Sequence, residues 1–191
     1  MTRANLLSSL NDLIGLKKMR VLRSPCEVRI VFASQKCTRF SPKQIKFYIK
    51  YAGMVLKALR NTLFCSFLTW MMKREEIAEE AIAEVQVNFF PFQKINGKSL
   101  AGKCNSDGEI HIYPKRLDYC RELLLKLDKE EFCLYVKVRA MATLIHELLH
   151  FKYMNDEEKV RTLTERYCNT FIKHREPQAP NHHTLELLFR Q

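Results

Sequence analysis

Thr143-Leu144-Ile145-His146-Glu147-Leu148-Leu149-His150-Phe151 lies in a run without Gly or Pro from Asp128 to Tyr153. Nothing in that run interrupts a helix, and a helix sets His146 and His150 one turn apart on one face. Two imidazoles at that spacing can hold one Zn²⁺. Glu147 projects beside the same face, within reach of a water that such a metal would polarise. Its carboxylate can take the water's proton during attack on a carbonyl. Leu144, Ile145, Leu148 and Leu149 make the opposite face apolar. Such a helix packs its leucines into a core and turns its histidines toward a cleft. The bland alternative is a buried helix whose histidines bond to backbone carbonyls and whose Glu caps or pairs.

A catalytic zinc site needs a third protein ligand and one open position. His174 follows in a basic stretch near a helix end. Asp156 stands where H-E-x-x-H-x-x-G-x-x-H/D would place a ligand, but Tyr153 occupies the Gly position that lets the chain turn sharply. Asn155-Asp156-Glu157-Glu158 reads instead as a turn with Asp156 as helix N-cap. From Asp156 to about Arg175, Val160, Leu163, Tyr167, Cys168, Phe171 and Ile172 recur at helical spacing. Folded back antiparallel, this second helix is expected to bring Glu165 beside His146 and His150 as third ligand. Its bland alternative is a solvated charge paired with Arg161 or Arg166. Asn169, one turn on, is placed to bond to a ligating imidazole and fix its ring. Tyr153, Tyr167 and His174 stand as alternative donors to a developing oxyanion.

The pattern H-E-x-x-H followed by Glu165-Arg166-Tyr167-Cys168-Asn169-Thr170-Phe171 resembles that of gluzincin metallopeptidases. It is most similar to the ImmA/IrrE-like peptidases, where E-x-x-A-N-x-F is usual. Cys168 replaces the small Ala, and Met154 stands where that family carries a further His. SprT-like minimal zincins are the neighbouring resemblance, with a His as third ligand. The likeness extends upstream to the strand Glu109-Ile110-His111-Ile112-Tyr113-Pro114. It implies an α+β fold with a minimal zincin core: a small mixed or antiparallel sheet, the active helix, the ligand helix after it, and added N-terminal helices. It also implies zinc, peptide-bond hydrolysis, and a sheet edge that lines the cleft and pairs with an extended peptide. The hairpin around residues 98–113 is the candidate for that edge.

The chain has 191 residues, 47 % hydrophobic and 28 % charged, enough for one domain with its own core and against long disorder. Within it, 1–60 forms a basic part and 83–175 the expected catalytic core. No apolar run reaches the length of a membrane span. The leucines at 6, 7, 10, 13 and 16 are interrupted by Ser8, Ser9, Asn11 and Asp12, an amphipathic pattern rather than a signal peptide. The expected location is cytoplasmic. Seven cysteines, an odd number without a C-x-x-C pair, indicate neither a disulfide framework nor a structural zinc cluster.

The net charge of +11 is unevenly placed. Residues 1–60 hold 13 Lys and Arg against 2 acids, whereas 61–191 hold 19 of each sign. Lys17, Lys18, Arg20, Arg23, Lys43, Lys46, Lys50 and Lys57 therefore suggest an anionic partner, nucleic acid above all. A solvated basic face is the bland alternative. The functional expectation is a zinc metallopeptidase acting on protein or peptide substrates, including proteins associated with nucleic acid. Its alternative is a non-catalytic zincin-like protein that binds nucleic acid or regulates.

Smaller signals complete the outline. Glu27 to Phe32 reads as a strand, and Ser41-Pro42 as a helix start. Asn61 to Met72 is expected to continue that helix in buried surroundings, and Lys73 to Ala83 to be helical. Val85 to Phe89 alternates as a strand. Lys98–Cys104 and Glu109–Tyr113 form a hairpin on the turn Asn105-Ser106-Asp107-Gly108. Leu117–Leu127 is a helix, and Asp128 with Glu131 makes a capping box for the active helix. Glu176 to Pro180 reads as a linker, with His182 and His183 as surface residues beyond it.

Overall fold

Ser41 opens helix α1 (Pro42–Leu59) with a capping box: its side chain accepts from the Gln44 N–H, and Gln44 accepts from the Ser41 N–H. The computed structural model of the protein describes residues 28–33, 40–92 and 99–175. α1 buries Tyr48, Tyr51, Ala52, Val55, Leu56 and Leu59 along one stripe. The expected continuation of α1 is a separate helix, α2 (Thr62–Glu75). Asn61 breaks the backbone and caps the new helix, its Oδ1 accepting from the Leu63 and Phe64 N–H groups at 3.1 and 3.2 Å. Phe64, Cys65, Leu68, Met71 and Met72 are buried, while Leu63 and Trp70 stay exposed.

The helix expected from Lys73 to Ala83 does not form. Glu76 adopts left-handed backbone (φ 56°, ψ 35°) and closes α2, with Ile77 N–H returning to the Met72 carbonyl. Only a 3₁₀ turn at Glu79–Ala81 follows.

Four short strands make the sheet: β1 (Ile30–Phe32), β2 (Glu84–Val87), β3 (Gly102–Cys104) and β4 (Glu109–Ile112). Their order is β1-β2-β4-β3, with β1, β2 and β4 parallel and β3 antiparallel to β4. The β3–β4 hairpin forms as expected, turning through Gly108 at φ 83°, where a Cβ would also run into the Ala81 carbonyl. Along β2 and β4, Val85, Val87, Ile110 and Ile112 point into the core, and the residues between them are only half-buried. Helices therefore cover one face of the sheet.

After the short helix α3 (Leu117–Leu124), Asp128 and Glu131 form the expected capping box, and α4 runs from Lys129 to Tyr153. α4 packs against β3 and β4 and lies beside α1, which packs against β1 and β2. Asp156 caps the last helix, α5 (Glu157–Arg175), by accepting from the Lys159 N–H at 3.1 Å. α5 lies along α4, joined to it by a three-residue turn. Among the described residues the class is α+β, with five α-helices and a four-stranded mixed sheet. None of those helices is long and apolar enough to cross a membrane. The described cysteines are free thiols.

Candidate metal centre

Leu144, Ile145, Leu148 and Leu149 are almost wholly buried, so α4 is locked in rotation and its opposite stripe has one place to face. On that stripe His146 and His150 are half-buried, with their Nε2 atoms 3.1 Å apart. The turn of Met154–Asp156 brings the first residue of α5 against them. Glu157 Oε1 stands 3.6 Å from His146 Nε2, and Oε2 stands 3.4 Å from His150 Nε2. Donor atoms from the three residues lie within 4.8 Å of one another.

Those spacings suit a cation. Zinc bonds of about 2.0–2.1 Å at tetrahedral angles set ligand atoms about 3.3 Å apart. Two imidazole nitrogens and one carboxylate oxygen are a donor set that suits a divalent transition metal, zinc, iron, copper and nickel among them. Tautomers agree with this. His150 Nδ1 donates to the Met154 carbonyl oxygen at 2.6 Å, which leaves Nε2 as the ring nitrogen that faces the cluster. Met154 reaches that bond from φ 44°, the strained residue of the α4–α5 turn. Burial holds the His146 pKa below the usual imidazole range; the Glu157 charge opposes that, and the charges of His150 and Arg161 add to it. The neutral form of His146, which carries a lone pair, is thereby favoured.

Glu147 is buried on the flank of the histidine pair. Strand β3 crosses so close that a Cβ on Gly102 would lie 2.6 Å from Glu147 Oε1. Burial first, then the Glu147 charge, raises the pKa of the Cys104 thiol and the Tyr113 phenol. β3 is one of the two outer strands among the described residues, and Gly102 at its start lines the cleft. Tyr113 N–H pairs with the Ala101 carbonyl and Asn105 N–H with the Glu109 carbonyl. By the alternation of an antiparallel ladder, the backbone groups of Gly102 and Cys104 point to the open side. The cleft itself measures about 320 Å³.

The other expected site residues lie elsewhere. The stripe of α5 facing the cleft is Glu157, Arg161 and Thr164. Glu165 stands about 100° further round the helix, is exposed, and is outside the His146–His150 cluster. Asp156 is exposed and serves as the N-cap, as its sequence context suggested. Asn169 is half-buried and does not line the cleft. Tyr153 OH donates to Glu75 Oε2 at 2.6 Å, and Tyr167 OH donates to Glu75 Oε1. Both phenols are thus held by α2, away from the histidines. The His174 side chain and residues Lys17, Lys18, Arg20 and Arg23 lie outside the described residues. Lys43, Lys46, Lys50 and Lys57 are exposed on α1.

Glu157, Arg139 and Lys115 are cleft residues that the sequence reading did not single out. Arg139 carries a signal in hindsight: a charged residue in the apolar run Val138–Ala142, seven positions before His146 and so on the same stripe. Glu157 carries one too, as an acid in the first turn after a very short connection. Compared with protein-family models, with curated proteins and with solved structures, the chain finds no match.

Proposed function

We propose that this chain is a zinc metallopeptidase, in line with its resemblance to gluzincins, with His146, His150 and Glu157 as the protein ligands and Glu147 as general base. The observation that carries the reading is the convergence of three donors at 3.1–3.6 Å. Bound there, the ion would supply Lewis acidity to a water and to the carbonyl under attack. Glu147 takes a proton from that water as its oxygen adds to the carbonyl carbon. It then passes the proton to the amine nitrogen as the C–N bond breaks. A peptide laid antiparallel on the open side of β3 would bond to the Gly102 and Cys104 backbone and pass in front of Glu147. Backbone pairing of that kind gives affinity with little dependence on side chains.

Glu147→Gln tests the chemistry. It is expected to keep its metal and to cleave an unfolded protein substrate about 10²–10⁴-fold more slowly. Cleavage at the rate of the unaltered chain would overturn the proposal.

A second reading, nucleic-acid binding with or without cleavage, has one specific support. Lys43, Lys46, Lys50 and Lys57 are all exposed, and their spacing of 3, 4 and 7 residues keeps them within about 60° on one stripe of α1. A stripe of cations along a helix suits a run of phosphates. Combined with the first reading, it would bring a peptidase to proteins bound on nucleic acid.

A further inference from the structure

Arg139 stands two helical turns before His146 on the same stripe of α4, only 5 % exposed, at the far end of the cleft. Its Nη1 is occupied: it donates to the Tyr113 carbonyl oxygen at 2.8 Å and lies 3.5 Å from the Tyr51 hydroxyl. Those contacts fix the guanidinium plane. Nη2 is buried and has no hydrogen-bond partner. No acidic side chain among the described residues forms an ion pair with this guanidinium. A buried arginine with an unmatched donor and no counter-charge is costly to keep unless something else supplies the anion.

Lys115 adds a second cation to the same end of the cleft. Burial, and after it the Arg139 charge, brings its pKa down to about 8. Of the carboxylates lining the cleft, Glu157 stands with the histidines and Glu147 follows His146 along α4. One end of the cleft is thus built to handle a metal and a water, and the other carries positive charge.

We infer that the Arg139–Lys115 end of the cleft receives a carboxylate of the peptide substrate. The inference rests on the peptidase reading and adds its specificity. Nη2, the unmatched end of the guanidinium, can donate a charge-assisted hydrogen bond to a carboxylate oxygen, which a neutral hydroxyl or amide does not equal. Seven residues of helix separate Arg139 from His146, about 10 Å, and an extended peptide covers that in about three residues. Bonds cut by this chain therefore lie within about three residues of a carboxylate. That carboxylate is either the chain's own C-terminus or an Asp or Glu side chain.

Binding to the metal-free full-length protein tests this without any turnover. Fluorescence anisotropy is measured on a short labelled peptide of Ala and Leu as the free acid and as the amide. The amide is also made with one Glu and, as its match, with one Gln. A carboxylate is expected to tighten binding about 10–100-fold over its neutral match. The pair that shows the difference identifies the C-terminus or the side chain as the source. Arg139→Met is expected to reduce the preference to threefold or less. Because Arg139 is buried and that variant risks misfolding, Lys115→Met is measured beside it and is expected to lose at least threefold of the preference. Equal binding of acid and neutral peptides by the unaltered protein, or a preference that survives both substitutions, overturns the inference. The zinc-loaded protein is then given the same peptides. Cleavage without acid preference removes the carboxylate site and leaves the peptidase; acid preference without cleavage does the reverse.

Discussion

A Cβ at position 102 would stand 2.6 Å from both Glu147 Oε1 and Thr143 Cγ2, so Gly102→Ala must push β3 off α4 or turn Glu147 aside. None of the three atoms nearest to that Cβ belongs to His146, His150 or Glu157. The expected outcome is kcat/KM lowered by about 10²-fold, the cost of a misplaced catalytic group, with metal content unchanged. Steady-state kinetics beside metal analysis checks both halves. Lys115 offers a second test. With its pKa near 8, about half of its amine is neutral at pH 8, whereas an ordinary lysine is almost fully charged there. Brief treatment with acetic anhydride at that pH should acylate Lys115 ahead of the exposed Lys43, Lys46 and Lys50, as read by peptide mass spectrometry. Labelling of the exposed lysines first would contradict the placement of Lys115. At this scale the H-E-x-x-H trio could be read from spacing alone, because one helix fixes all three residues. The third donor could not. Whether Glu157 or Glu165 meets the histidines depends on the length of the α4–α5 turn and the rotation of α5 about its axis, and helical periodicity specifies neither.

Glu75, on α2, ties that helix to both helices of the site through Tyr153 and Tyr167. Burial alone would raise its pKa, but the two phenol hydrogen bonds, with Lys152 and Arg74 nearby, outweigh it and hold the carboxyl below its usual range. Glu75→Gln should therefore cost about 1.5–3 kcal/mol of stability near neutral pH, the range for hydrogen bonds to a charged group. A group with a depressed folded pKa stabilises above its unfolded value and stops doing so as pH falls through the folded one. The gap between variant and unaltered chain, followed by urea unfolding, should narrow as pH drops through the acid range. A gap independent of pH would show the carboxylate charge to be irrelevant. Local chemistry made several elements legible beforehand: Ser41-Pro42, the Asp128–Glu131 box and the Gly108 turn each act within four residues. Asn61 to Met72 is helical and largely buried as expected; what the sequence did not reveal is the break that separates it from α1 and the end of the helix at Glu75, short of the Ala83 expected. The breaks come from Asn61 bonding to the next turn and from Glu76 in left-handed backbone, a conformation its side chain gives no reason to expect.

Along the whole chain, the excess positive charge falls in residues 1–60, which include α1, whereas the candidate cleft is lined mainly from α4, α5 and the chain leading into β3. If the α1 stripe engages phosphates, four contacts alone should weaken duplex binding about 10²-fold when salt rises fourfold, and charge reversal at Lys43, Lys46 and Lys50 should flatten that dependence. Cleavage of a free peptide should not change in the same variant. Absence of duplex binding even at low salt would leave the stripe a solvated face. The order of strands and the choice of β3 as the edge are long-range outcomes, set by how α1 and α4 share one face of the sheet, and local pattern does not specify them. The most direct test of the central claim is zinc content per chain, measured by plasma mass spectrometry after purification in zinc and exhaustive dialysis. The unaltered protein and Glu165→Ala are predicted to retain one zinc each, and His150→Ala and Glu157→Ala to retain far less. No bound zinc in the unaltered protein, or full retention by Glu157→Ala, would contradict the metal centre described by His146, His150 and Glu157.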